Sequence, residues 1–272
     1  MNKPTFVISS PFNTYSGYGG RARDLIKAIL DIDKYNVKLL NQKWGETPGN
    51  FCETNPEWDF LLGYQIFQSE LKDKPDIWLQ HTIPTEFKAV GKYNIGCTAG
   101  IEATLCKPEW IEGINRMDLN LVSSTFSKNV FLNSRFKQQD KNTNQTVGKI
   151  EVSKPIEVLF EGVNNDIFYP QPSKKIDLTQ VKESFNYLFV GQWLNGDFSH
   201  DRKNISFLIK SFLETFKNQS IKPGLVLKTA IGNPSYSSRD KVLKSIEKIR
   251  NTVKSNNLPN IYLFDGILTD QE

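Results

Sequence analysis

The sequence predicts an α/β fold with mainly parallel sheets in two successive domains, and three features carry that expectation. Short apolar runs rich in β-branched and aromatic residues recur without strict alternation, as in strands covered on both faces. Amphipathic helical stripes lie between them, and alternation of strand and helix gives layered α/β folds. A stretch with two prolines and several charges, residues 169–182, breaks the pattern before it restarts at residue 186.

The strand candidates in the first part are residues 5–9, 37–40, 76–80, 93–97, 119–123 and 157–160. In the second they are 187–191, 225–229 and 261–264. Ala22, Leu25, Ile26, Ile29 and Leu30 fall on one helical stripe that begins near Arg21. Ile205, Leu208, Ile209, Phe212, Leu213 and Phe216 form a second, and Val242, Ile246, Ile249 and Val253 a third. Residues 138–154 have almost no apolar content and read as an exposed loop or hairpin. The division expected is a first domain over residues 1–170, a linker over 171–185 and an incomplete second domain over 186–272.

With 272 residues, 38% hydrophobic and 12% aromatic, the chain can bury one large core or two modest ones. Its mean hydropathy is −0.44, and no apolar run approaches the ~18 residues of a membrane span. The segment from Met1 to Pro4 carries no signal-peptide apolar block, so a cytoplasmic location is expected. Three cysteines, Cys52, Cys97 and Cys106, have no zinc or redox spacing and read as reduced structural thiols. His81 and His200 are the two histidines, too few for a histidine-based metal cluster. A net charge of +4, with cations scattered among acids, permits a phosphate-bearing ligand or an anionic membrane surface. It is no nucleic-acid footprint.

A glycine-rich stretch, Ser16-Gly17-Tyr18-Gly19-Gly20, stands between the first strand and the first helix. Glycines there let backbone N–H groups approach a ligand, and a helix amino end favours negative charge. Gly17 to Ala22 fits G-x-G-x-x-A, yet about seven residues separate it from the strand, and the second strand ends in Leu39-Leu40-Asn41-Gln42 without the acid a dinucleotide site uses.

Several segments together resemble the retaining GT-B glycosyltransferases of group 1, or family 4. They are the glycine stretch, Trp78-Leu79-Gln80-His81-Thr82, and the run from Asn94 through Glu102, Trp110 and Asp118 to Ser123-Ser124-Thr125-Phe126-Ser127. To these add Val158 to Pro170 with Gly162-Val163-Asn164, Val190-Gly191-Gln192 with Arg202-Lys203-Asn204, and Ile261 to Leu268. The resemblance implies two Rossmann-like domains of the GT-B kind, the second incomplete. It implies transfer of a hexose from a nucleotide-diphosphate sugar to a glycan, lipid or protein acceptor, with retention and without metal or other cofactor. Gln192 and Asn164 depart from the family's Arg and Asp, and the sequence ends at Glu272, where the family continues into its donor-binding E-x7-E segment. A fragment of a longer enzyme, with little or no turnover of its own, is therefore expected.

On that resemblance His81, Arg202 and Lys203 are the candidate catalytic residues. Lys203 matches the family's diphosphate-binding lysine, and Arg202 stands in for the arginine missing at Gln192. Gly19, Gly20, Gly191, Lys228, Gly266, Ile267 and Leu268 are assigned to the donor, and Glu102 to the acceptor. A cation pair at a helix start is unfavourable for the helix dipole and so hints at an anionic ligand. His200 and Asp197 receive no role. Two other readings stand beside this one: a truncated, non-catalytic binding protein, and a dinucleotide-dependent oxidoreductase weakened by the missing acid.

Overall fold

In a computed structural model of the chain, residues 3–45, 47–139, 143, 145–170, 178–193, 201–232 and 235–266 are described. They fall into two compact units, Met1–Val163 and Asn164–Glu272, so the division precedes the proline-rich break on which the sequence places it.

The first unit runs β1 (Thr5–Ser10), α1 (Gly17–Ile32), β2 (Asn36–Asn41), α2 (Phe51–Thr54), β3 (Ile77–His81) and β4 (Tyr93–Thr98). It continues with α3 (Pro108–Asn115), β5 (Leu119–Val122), α4 (Thr125–Asn133), β6 (Phe136–Gln139), β7 (Thr146–Ile150) and β8 (Ile156–Val158). Six strands form one parallel sheet in the order β2-β1-β3-β4-β5-β8. The sheet is covered on both faces. Phe6, Ile8, Leu39, Leu79 and Cys97 pack with Ala22 and Ile26 of α1 on one face. Val7, Trp78 and Val122 pack with Ile111, Ile114, Val130 and Phe131 of α3 and α4 on the other. Burial on both faces is why these strands read as apolar runs rather than alternating ones. The polar stretch expected over 138–154 is an antiparallel hairpin, β6 with β7.

Two boundaries differ from the sequence expectation for local reasons. The helix expected near Arg21 begins at Gly17, because Ser16 caps it by accepting the Gly19 N–H at 2.9 Å. The glycine stretch is thus the first turn of α1 and not a loop ahead of it. Strand β8 ends at Val158, two residues short of the expected end. The carbonyls of Leu159 and Phe160 are taken instead by the Arg21 guanidinium at 2.7 and 3.0 Å.

The second unit contains β9 (Asn186–Val190), α5 (Ile205–Phe216), β10 (Gly224–Lys228), α6 (Tyr236–Arg250) and β11 (Ile261–Phe264). Its three strands are parallel, in the order β11-β10-β9. Ile205, Ile209 and Leu213 of α5 and Val242, Ile246 and Ile249 of α6 pack with Leu225 and Leu227 of β10. By strand alternation the opposite face carries Leu188 and Val190, 69% and 66% exposed.

All three cysteines are free and buried, and burial pushes the Cys52 and Cys97 thiols up to about 11 and about 12. Thiols held that far from ionisation are poor nucleophiles and behave as small core residues. Among the described residues no helix is long and apolar enough to cross a membrane.

Candidate functional site

In the first unit the chain passes from β1 outward to β2 and then returns to β1's other side as β3. Open α/β sheets take ligands at the carboxyl ends of their strands where the order reverses in this way. Here that point lies between the ends of β1 and β3, which carry Ser10 and His81. The two residues are neighbours, since Ser9 stands opposite Gln80 in the parallel register.

His81 is 2% exposed. Its Nδ1 lies 3.1 Å from the carbonyl oxygen of Cys97, which can only accept, so Nδ1 carries the proton and Nε2 is left with its lone pair. No hydrogen-bond partner reaches Nε2 among the described residues. Burial, with the Arg21 charge adding to it, holds the imidazole down to about 4, so it is neutral at physiological pH. Ser10 is fully buried and its Oγ also lacks a partner. Two unsatisfied buried polar atoms side by side at a switch point are an unusual arrangement for a finished core.

The ring of Tyr18 lies across His81, with centroids 4.7 Å apart, and stacks on its other side against Trp44 at 4.2 Å. The Tyr18 hydroxyl is 3.1 Å from Thr98 Oγ1 and accepts the Ala99 N–H at 3.2 Å, and burial raises its pKa above the ordinary phenol value. Tyr18 therefore closes the crevice over His81 from the first turn of α1. The glycines around it have different duties. A Cβ on Gly19 would come within 2.3 Å of the Thr14 carbonyl oxygen, whereas one on Gly20 would meet nothing closer than 3.8 Å. Gly19 lets α1 settle on the Pro11–Thr14 turn. Beneath that turn the buried Arg23 donates to the carbonyls of Phe12 and Thr14 at 2.7 and 2.9 Å and stacks 3.4 Å above the Phe51 ring.

Glu102 lies farther along the same sheet edge, beyond β4, where it is exposed and lines a cavity with Glu161. It does not touch His81 or Tyr18 through any hydrogen bond or ion pair.

The second unit gathers its own candidates at the carboxyl ends of its strands. The Gly191 N–H donates to the Lys228 carbonyl at 3.0 Å, and a Cβ on Gly191 would lie 4.0 Å from Lys203 Cγ. Lys228 Nζ donates to the Gly266 carbonyl. Gly191, Lys203, Lys228 and Gly266 thus form one neighbourhood. Lys228 is nevertheless committed there: it ties the ends of β10 and β11, and burial lowers its proton affinity although Asp265 opposes this. A phosphate reaching Lys228 would have to displace a backbone carbonyl. Arg202 and Lys203 are exposed on the turn before α5. Ile267, Leu268, Asp197 and His200 lie outside the described residues.

The amino end of α5 itself is occupied. Asp201, 5% exposed, accepts the N–H of Ile205 at 2.9 Å and the N–H and hydroxyl of Ser206 at 3.4 and 3.0 Å. Its carboxylate supplies the negative charge that the helix dipole favours, so Arg202 and Lys203 stand beside a helix already capped by an acid. An acid four residues ahead of an apolar helical stripe is a start signal readable in Asp201-Arg202-Lys203-Asn204-Ile205, overshadowed there by the two cations. Tyr18, Trp44 and Ser10 carry no comparable signal, because their importance lies in which strand ends become neighbours.

Compared with known proteins, the chain matches no family model and no curated relative.

Proposed function

We propose that this chain handles a nucleotide-diphosphate sugar and belongs to a hexosyltransferase that acts with retention and without a metal on a glycan, lipid or protein acceptor. The observation that supports it most is His81, neutral, buried and with a free acceptor nitrogen at the switch point of a parallel sheet, under the glycine-rich first turn of a helix. A neutral Nε2 accepts a hydrogen bond from a sugar hydroxyl once Tyr18 turns aside, and Ser10 Oγ takes a second. The first turn of α1 has no acidic residue, and Arg21 follows it with its guanidinium held by the Leu159 and Phe160 carbonyls, a combination that favours the negative charge growing on a departing diphosphate. In the second unit, taken by itself, the exposed Arg202 and Lys203 offer cations to a phosphate. In the resemblance, the leaving phosphate and no protein carboxylate removes the acceptor proton, so Glu102 acts in binding.

The test is selective stabilisation of the whole chain in thermal unfolding with UDP, GDP or NAD, since a ligand that binds the folded state raises its apparent stability. Stabilisation by one of the nucleoside diphosphates is expected, and Lys203→Ala should weaken that binding at least about tenfold. Stabilisation by NAD alone would overturn the proposal in favour of a dinucleotide enzyme. Binding without turnover is a second reading, favoured by the Asp201 carboxylate at the α5 amino end. Nucleoside diphosphate binding together with no release of sugar from a labelled donor would select it.

A further inference from the structure

At the amino ends of β1 and β2, the end of the sheet opposite His81, lies a cavity of about 780 Å³, within the size range of ligand sites. It runs along β2, the edge strand of the six. The Asn36 N–H donates to the Pro4 carbonyl and the Gln42 N–H to the Ser10 carbonyl, both at 2.9 Å. Even-numbered residues of β2 therefore bond to β1, and the odd-numbered ones present their backbone outward. The chain covers one of these itself. Gln65 pairs with Leu39 as an isolated parallel bridge, and the Ile66 N–H donates to the Leu39 carbonyl at 2.9 Å. Before that bridge the chain is the helical turn Asp59–Tyr64, which does not continue the ladder. The Val37 N–H and carbonyl are left facing the cavity with no backbone partner among the described residues. Gln65 Oε1, a buried acceptor without a donor, belongs to the same wall. The side chains of the wall divide by face. Leu30, Tyr35 and Val37 lie with the core under α1, while Lys38 alternates to the opposite face, that of Leu40 and Ile66. Lys3 and Asp33 pair with each other, but the Lys38 ammonium makes no ion pair or hydrogen bond among the described residues.

We infer that this cavity receives an extended segment of a partner protein, added as a short strand beside Val37, with apolar and acidic side chains in alternation. An N–H and a carbonyl offered together by one edge residue are what a peptide amide pair completes in a ladder. Successive side chains of such a strand fall on opposite faces. One meets the apolar surface of Leu30 and Tyr35, and the next meets the Lys38 ammonium. Lys38 faces away from α1, so the carboxyl end of that helix, which repels anions, does not oppose a carboxylate there. A further N–H of the segment satisfies Gln65 Oε1. The cavity takes no part in the sugar-transfer reading, and the inference does not depend on it.

Amide-resolved NMR titration of the full chain tests this with an end-blocked peptide of alternating valine and glutamate. The peptide should perturb the amides of residues 35–38 and 63–66. N-methylation of its central amides should weaken it at least about fivefold, as should lysine in place of glutamate. Val37→Pro removes the outward N–H without touching the bonds to β1, and should weaken the peptide to the same extent. Lys38→Glu leaves the backbone intact and should reverse the preference between the glutamate and lysine peptides. An N-methylated peptide that binds as well as its parent, or a preference of the unmodified chain for the lysine peptide, overturns the inference. So do shifts confined to other residues. UDP or NAD moving the amides of residues 35–38 would make the cavity a nucleotide site and would equally overturn it.

Discussion

Two helices open onto strand ends in this molecule, and their amino ends are dressed in opposite ways. In the first unit, α1 begins with a neutral serine cap, three glycines in four residues and a nearby arginine. In the second, α5 begins over a buried aspartate that spends its carboxylate on the first backbone donors. Both follow a parallel strand, and both look from sequence like anion sites. Only the first leaves the helix dipole uncompensated by an acid, while the second offers charge through flexible side chains outside the helix. Position in an α/β layer does not by itself define an anion site; the residue that closes the cap decides it.

Substitutions sharpen the contrast. The largest effect is expected at Gly19, where alanine should cost about 3 kcal/mol or displace the Pro11–Thr14 turn, while Gly20→Ala beside it should be nearly neutral. Denaturant unfolding of the two variants checks this, and equal costs would show that the turn yields.

Close behind comes the pH response of His81. The folded ring stays neutral down to about 4 while the unfolded chain takes up its proton near 6.5. Stability from this group is full above about 6.5, falls as pH drops toward 4, and levels off below, a total of about 3 kcal/mol. His81→Gln should flatten that part of the stability curve; a retained slope would assign it to other groups.

Asp201→Ala should cost about 2 kcal/mol by exposing the first α5 donors, and should at the same time tighten any nucleoside diphosphate bound nearby. Hydrogen exchange at Ile205 and Ser206 reads the first effect, calorimetry the second. Unchanged or weaker affinity would mean that the α5 end takes no part in the site. Tyr18→Phe is expected to be smallest, about 1 kcal/mol, because it loses the bonds to Thr98 and Ala99 but keeps the ring stack. If the hydroxyl latches the crevice shut, this variant should bind sugars slightly better.

Most strands were legible because burial on both faces of a parallel sheet leaves apolar runs in the sequence, and the helices because one-sided burial leaves stripes. The ends were less so. Nothing in Leu159-Phe160 announces that Arg21, far away in sequence, will take their carbonyls and stop β8. The glycine stretch reads as a loop because glycine is a poor helix former, yet Gly19 sits in a helix for lack of room and not for flexibility. Of the candidate site, His81, Gly191, Lys203 and Gly266 were legible as residue types at strand ends. The diversion of Lys228 to Gly266, and the Trp44–Tyr18–His81 stack, depend on contacts between segments and leave no local trace.

Cys97, directly beside His81 in the sheet register and bonded to it through its carbonyl, is close enough to Tyr18 for their charges to interact, with its thiol sealed from water. A maleimide or aromatic disulfide can reach that sulfur only when the first turn of α1 lifts or the unit opens. The rate at which Cys97 is modified is therefore a clock, already wired into the natural sequence, for how often the crevice breathes, and a ligand that locks the crevice should slow it.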